Sequence, residues 1–147
     1  MRSIRLMLGV TLLEVMLVLS IVSLIILMSV RYYQATTNAS QTQQGLALIQ
    51  ALSATADNLA MGDTGGYSNA TSANMKELSG AGILASPWGG TVAISAQTPT
   101  TYKIVIPNTP VGVCDNVKNK LSTDSKFTFS ACSGGASGIT YTYNATS

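Results

Sequence analysis

The most unusual chemical group in this sequence is the carboxylate of Glu14. It is the only charged side chain in an apolar segment that extends from residue 10 to residue 30. A carboxylate inside a membrane span costs a few kcal/mol, so such a residue is a candidate for function. Glu14 lies near one end of the segment, which also permits a simpler interpretation. In that interpretation the side chain is hydrated at the membrane interface and has no dedicated partner.

The cysteines Cys114 and Cys132 form a second candidate site. An even number of cysteines in an exported domain favours a disulfide. Closing the loop between these two would contribute on the order of 3 kcal/mol in the chain-entropy model. The alternative is a pair of free buried thiols, which is typical of a cytoplasmic protein. We predict the disulfide, and expect it to join a short helix to a later strand.

Residues that could serve catalysis or bind metal are scarce. The sequence contains no histidine, which removes the commonest general base and the commonest metal ligand. The acidic residue Asp63, with Thr64 and Gly65, is followed by too few carboxylates for a calcium loop. We find no nucleophile with an adjacent base. The sequence therefore predicts no catalytic residue, no metal site, no cofactor and no enzymatic activity.

The charge balance is close to neutral once a basic N-terminal leader is set aside. Loss of Arg2 and Arg5 would leave six basic and six acidic side chains. A neutral chain has no long-range attraction for nucleic acid, and we predict no direct nucleic-acid binding. Five aromatic side chains could stack on bases or sugars, but their alternation along predicted strands favours packing in a sheet or core (Tyr67, Trp88, Tyr102, Tyr141 and Tyr143).

The apolar segment around Glu14 is long enough to cross a membrane. As a helix, residues 10–30 would extend over roughly 31 Å, against about 30 Å for the hydrocarbon core of a bilayer. Arg2 and Arg5 favour a cytoplasmic N-terminus and an external location for Arg31 and the residues that follow. A secretory signal peptide is the alternative, but its apolar part would span about 7–15 residues and precede a small-x-small cleavage site.

The N-terminal residues resemble those of the type IV pilin family at Gly9, Val10, Leu12, Leu13, Glu14 and Val15. The resemblance implies that a prepilin peptidase cuts between Gly9 and Val10, that Val10 is N-methylated, and that Glu14 acts in assembly. The family often has Phe at the position of Val10 and Pro at that of Arg31. These two departures point to the type IVb branch.

The resemblance gives Glu14 a partner. Cleavage creates a cationic amine on Val10, which assembly would bury among apolar helices. Pairing with Glu14 of a neighbouring subunit would favour one axial register and penalise others, without necessarily adding net stability.

The rest of the chain predicts an α+β fold in which a long N-terminal helix covers a four-stranded antiparallel sheet. An apolar stripe at spacings of three and four continues the helix to Met61, and Gly62 ends it. The stripe comprises Leu46, Ile49, Leu52, Ala56 and Leu59, and the opposite face comprises Gln43, Gln44, Gln50, Asp57 and Asn58. Short helices are predicted at 72–78 and 110–121. Alternating apolar residues predict strands at Val92 and Ile94, at Tyr102, Ile104 and Ile106, at Phe127 and Phe129, and at Ile139, Tyr141 and Tyr143.

Together with these patterns, the resemblance implies a leader (1–9), a membrane-spanning and polymerisation helix (10–31) and a globular pilin domain (32–147). Within the domain we expect the outer half of the helix at 32–61, a connecting loop at 62–90 and the sheet with its disulfide-bounded region at 91–147.

Two later runs, SPWGGTV and TYKIVIPNTPVGVC, are similar to the small major pilins of conjugative thin pili. The resemblance implies a pilus subunit that starts in the bacterial inner membrane, engages an assembly platform and ends in an extracellular homopolymer. Such a pilus could serve conjugation, adhesion, aggregation or DNA uptake. The alternatives are a minor pilin, a type II secretion pseudopilin, or a single-span membrane-anchored binding module.

Overall fold

The computed structural model of the chain describes residues 11–130, 132 and 138–146. It divides into two compact units, Met1–Thr37 and Asn38–Ser147. Helix α1 (Leu12–Gly62) contributes to both units and is continuous throughout. Residues 12–44 contain neither glycine nor proline, so no residue in this stretch carries a large helix penalty. The predicted long helix is confirmed from Leu12 onward.

The sheet lies within the second unit. Its strands are β1 (Ala93–Thr98), β2 (Thr101–Ile106), β3 (Phe127–Phe129) and β4 (Ile139–Asn144). All neighbouring strands are antiparallel, and their order in space is β1-β2-β4-β3. In the part of the chain that the structure describes, the prediction of four antiparallel strands is confirmed.

Two shorter helices accompany the sheet, one before β1 and one between β2 and β3. Helix α2 (Ser72–Ser79) begins after Thr71, whose side chain accepts a hydrogen bond from the backbone N–H of Asn74. Helix α3 (Val111–Leu121) lies between β2 and β3, and begins after Pro110. Two single 3₁₀ turns, Gly66–Asn69 and Ala81–Leu84, complete the segment that leads from α1 to the sheet. Both short helices match their predicted positions to within one residue.

The core of the second unit forms between the sheet and the outer part of α1. Ile49, Leu52 and Ala56 of the predicted stripe are fully buried, and the flanking Leu46 and Leu59 are partly buried. Burial of each large aliphatic side chain contributes roughly 1.5–3 kcal/mol. The buried strand residues that face them include Tyr102, Ile104, Ile106, Ile139 and Tyr141.

Asp57 differs from its predicted position on the polar face of α1. Its side chain is half-buried and accepts a 2.5 Å hydrogen bond from the hydroxyl of Tyr67. The polar face at this height of the helix is covered by the turn that contains Tyr67. That turn returns the chain onto α1 immediately after the helix ends, so a residue that periodicity assigns to solvent becomes part of an interior contact.

Candidate functional site

Glu14 lies in the first turn of α1, where Thr11 caps the helix. The backbone N–H of Glu14 donates to the side-chain oxygen of Thr11 at 3.3 Å and to its carbonyl oxygen at 3.0 Å. Thr-x-x-Glu is the sequence of a capping box, and a negative charge is favourable at the positive end of the helix dipole. This local role was not predicted, although the spacing of Thr11 and Glu14 was its signal in the sequence.

The carboxylate of Glu14 is exposed beside an apolar helix surface. It lines a shallow groove together with Val15, Val18 and Leu19. Among the residues that the structure describes, no donor forms a hydrogen bond with this carboxylate. The predicted cleavage and methylation site, Gly9 and Val10, lies outside the described residues. The arrangement therefore presents an anion on an apolar surface, available to a cationic or hydrogen-bonding partner.

The surface around Glu14 is a continuous apolar cylinder. The large apolar side chains from Leu12 to Val30 are 43–80% exposed. Soluble monomers rarely expose a contiguous apolar patch larger than a few hundred Å². This part of α1 is long and apolar enough to span a membrane. Apolar surfaces of this size are typical of sites of protein–protein or membrane interaction.

The serine residues of this segment do not interrupt the apolar surface. Ser20, Ser23 and Ser29 each donate a hydrogen bond to the carbonyl four residues earlier, at 2.7–2.8 Å. At the end of the segment, Tyr32 and Tyr33 are more than 70% exposed beside Arg31. Tyrosine and arginine at this point suit the interface between hydrocarbon and water.

The two cysteines form the predicted disulfide. Cys114 lies on α3, Cys132 follows β3, and their Cα atoms are 5.7 Å apart. Cys114 is buried and belongs to the core, next to Val113 and Val117 of the same helix. The bond thus fixes α3 to the chain that leaves the edge strand of the sheet.

The tyrosines that could have formed a stacking surface lie inside the second unit. Tyr102 and Tyr141 are fully buried, while Tyr67 and Tyr143 are less than 10% exposed. Burial raises the pKa of Tyr67, Tyr102 and Tyr141, and the hydrogen bond to Asp57 raises the pKa of Tyr67 further. The prediction that these side chains pack in the core is confirmed, and they are not available to stack on a base or a sugar.

Trp88 also packs in the second unit, against α1 and α3. A Cβ atom on Gly45 of α1 would lie 3.0 Å from the Trp88 ring and 3.3 Å from Val117. A side chain at Gly45 would therefore require the indole or Val117 to shift by a few tenths of an ångström. Periodicity could not show this contact, because it joins residues distant in sequence.

The described residues contain no group of three or more histidine, cysteine, aspartate or glutamate side chains that could hold a metal ion. No protein-family model, curated protein or solved structure matches this chain.

Proposed function

We propose that this chain is a type IV prepilin of the IVb branch, the structural subunit, in major form, of a bacterial pilus. The observation that carries the proposal is the exposed apolar cylinder of α1 with an unpartnered carboxylate in its first turn. A surface of this kind requires apolar neighbours, and a carboxylate within it requires a cationic one. The α+β second unit with its disulfide agrees with the layout of a pilin domain.

Assembly would use both features of the helix. The apolar cylinders of neighbouring subunits pack against one another and leave the lipid. The Glu14 carboxylate of one subunit pairs with the N-methylated amine of Val10 on another, after a prepilin peptidase has cut between Gly9 and Val10. Two charges that meet in an apolar bundle cost less than two that stay apart, so the pair selects the axial register of the subunits.

The precursor would reside in the inner membrane, held by residues 10–31, with the second unit outside. An assembly platform would then transfer it into an extracellular homopolymer. Conjugation, adhesion, aggregation and DNA uptake are all tasks that such a filament can perform. The chain needs no cofactor and no catalytic residue for this role.

Mass spectrometry of sheared surface filaments tests the proposal. The expected chain begins at Val10 and carries one added methyl group. A Gly9→Leu variant, which removes the residue before the cut, should accumulate as a full-length precursor in the membrane without filaments. A mature chain that begins at Met1 or after Ser29 would contradict the proposal.

A second candidate function is a single-span membrane-anchored binding module. The observation that favours it is the Thr11 cap, because a local role at the helix N-terminus can explain Glu14 without any partner. Such a module would remain monomeric in detergent and would appear in no filament. A minor pilin or a pseudopilin would share the cleavage and methylation of the first proposal but would form only a small part of the polymer.

A further inference from the structure

The outer part of α1 and helix α3 form a groove of about 330 Å³ on the surface of the second unit. We call it the α1–α3 groove, and its lining consists of Ala39, Thr42 and Gln43 from α1 and of Asn116, Asn119 and Lys120 from α3. The lining contains three carboxamides and one ammonium group, but no acidic side chain. The carboxamides and the ammonium can all donate hydrogen bonds. A carboxylate is therefore the group that the chemistry of this groove suits best.

Lys120 supplies the charge of the groove. It lies in the last turn of α3, is exposed, and forms no ion pair with any described residue. Lys118 lies in the same turn but does not line the groove. Both lysines are favoured by the negative end of the helix dipole. Only Lys120 combines its charge with the hydrogen-bond donors of the groove.

The last turn of α2 presents a carboxylate in an unfavourable position. Glu77 is exposed near the C-terminal end of α2, where the helix dipole disfavours a negative charge. Among the described residues its carboxylate has no hydrogen bond and no ion pair, including with the adjacent Lys76. The neighbouring Leu78 is 53% exposed, so the turn also presents an apolar side chain. A carboxylate in this position gains from a cationic partner outside its own subunit.

Glu77 is also the carboxylate of the second unit that is most available to another copy of the chain. Asp57, Asp63 and Asp124 each accept a hydrogen bond within the unit. Asp115 lies on α3, one of the two helices that form the groove. Of the acidic side chains that the structure describes in this unit, Glu77 alone is neither engaged nor on α3.

The α1–α3 groove and the last turn of α2 lie at different heights along α1. Gln43 lines the groove, whereas Leu59 lies beside Glu77 and Leu78. From Gln43 to Leu59 the helix rises by roughly 24 Å, at about 1.5 Å per residue. A contact between the two surfaces therefore joins separate copies of the chain. Each copy can bind one neighbour through its groove and another through its α2 turn, and a heterologous contact of this kind can repeat along a filament.

We propose that the α1–α3 groove of one subunit binds the last turn of α2 of a second copy of this chain, with the Glu77 carboxylate bound to the Lys120 ammonium. The carboxamides of the groove supply further hydrogen bonds to the carboxylate. The contact rests on the proposed function, since it requires subunits arranged in a polymer. It gives the second units a specific contact of their own, because charge complementarity favours one arrangement of the partners and penalises others.

A charge exchange between the two residues tests the contact in the full-length protein. Lys120→Glu and Glu77→Lys should each reduce the yield of sheared filaments by roughly tenfold, because like charges then face each other at every such contact. The double variant restores opposite charges and should return the yield to within about twofold of the wild type. Lys118→Glu makes the same charge change outside the groove, so it is the matched control and should assemble normally.

Processing of the precursor separates this contact from the proposed function. Cleavage before Val10 should be the same in all four variants, because the substitutions lie in the second unit. Wild-type yields from both single variants, or a double variant as poor as the single ones, would overturn the contact and leave the proposed function intact. A wild-type chain that is not cut and forms no filaments would instead overturn the proposed function and, with it, the contact.

Discussion

At the scale of single residues, the backbone and the carboxylate of Glu14 have different surroundings. Its backbone N–H joins the cap formed by Thr11, while its carboxylate has no hydrogen-bond partner among the described residues. A helix cap requires only the backbone contact with Thr11, whereas the proposed pairing with a neighbouring subunit requires the carboxylate. Substitutions at the two residues can therefore distinguish a membrane anchor from an assembling subunit.

We expect Glu14→Ala to insert in the membrane and to be cut, because the substitution removes a cost of insertion and leaves Gly9 intact. Filament yield should fall to near zero, since the amine of Val10 loses its partner. Thr11→Ala is the matched control; it weakens the cap by about 1 kcal/mol and should still assemble. The measurements are immunoblots of membranes and of sheared filaments. A wild-type yield from Glu14→Ala would eliminate the register mechanism.

The buried tyrosines predict a loss of stability at alkaline pH. The pKa values of Tyr67, Tyr102 and Tyr141 are raised in the folded chain, so the unfolded chain releases these protons first. Their contribution to the free energy of unfolding is complete below the ordinary tyrosine pKa of about 10. It falls by up to about 1.4 kcal/mol per pH unit for each group as the pH rises above that value toward the folded pKa.

Chemical denaturation of the full-length protein at pH values from 8 to about 11.5 measures this slope. Tyr67→Phe removes one of the three groups, so its slope above pH 10 should be smaller by up to about 1.4 kcal/mol per unit. Tyr32→Phe is the control, because it makes the same substitution at an exposed phenol and should leave the slope unchanged. Equal slopes in Tyr67→Phe and the wild type would refute the assignment.

At the scale of elements, the turn after α1 depends on one glycine. Gly66 has a φ of +59°, and a Cβ atom there would overlap the carbonyl oxygen of Pro99. The backbone N–H of Tyr67 donates to the same carbonyl at 2.9 Å. This contact joins the turn to the β1–β2 connection and thereby positions Tyr67 over Asp57.

Gly66→Ala should lower the free energy of unfolding by about 2 kcal/mol, because both the positive φ and the close carbonyl oppose a side chain. Gly65→Ala is the matched control, since its φ is −83° and its nearest contact to an added Cβ is 3.7 Å. That neighbouring substitution should change stability by less than about 1 kcal/mol. Thermal unfolding followed by circular dichroism compares the two. Equal losses would show that the turn tolerates a side chain at both positions.

The disulfide makes a second prediction at this scale. Cys114→Ser should lower the stability of the second unit by roughly 3 kcal/mol and reduce filament yield, while cleavage after Gly9 continues. The buried position of Cys114 adds the cost of placing a hydroxyl in the core. Peptide mapping under non-reducing conditions checks the bond itself. Two free thiols in the exported protein would show that the pairing is wrong.

Among the described residues, the sequence predicted the three α-helices and the four strands, but neither the two 3₁₀ turns nor the contacts between elements. The stripe at Ile49, Leu52 and Ala56 is visible because burial repeats with the helical period. The helical period does not reveal the hydrogen bond from Tyr67 to Asp57. Nor does it reveal the close approach of Trp88 to Gly45. Both depend on how connecting turns return to α1, which no local pattern encodes. Of the candidate site, the apolar surface and Glu14 were predicted, and the Thr11 cap was missed.

At the scale of the whole molecule, the chain joins a unit with an exposed apolar surface to a unit with its own core. The first exposes large apolar side chains from Leu12 to Val30, while the second buries tyrosines, isoleucines and valines around α1 and the sheet. The same helix belongs to both. A substitution that disrupts α1 would therefore affect both the apolar segment of the first unit and the core of the second.

We expect α1 to remain a continuous, gently curved helix in the assembled filament. Residues 12–44 contain no glycine or proline, so extending part of this stretch would break strong hydrogen bonds without a weak point at which to start. The back-bonded Ser20, Ser23 and Ser29 permit slight bending only. A filament map from electron cryomicroscopy measures this. Extended residues between Ser20 and Arg31 would contradict the expectation without affecting the proposed function.

The strand order also determines when the sheet can form during synthesis. Strand β3 is made before β4, but β4 is its partner in the described sheet, and β4 also separates it from β2. A chain that has emerged only as far as Ser130 can thus form the β1–β2 hairpin, while β3 has no edge to join. Strand β4 is made last, and it completes the sheet because it pairs with both β2 and β3. Before β4 is made, the growing chain therefore cannot form the complete sheet.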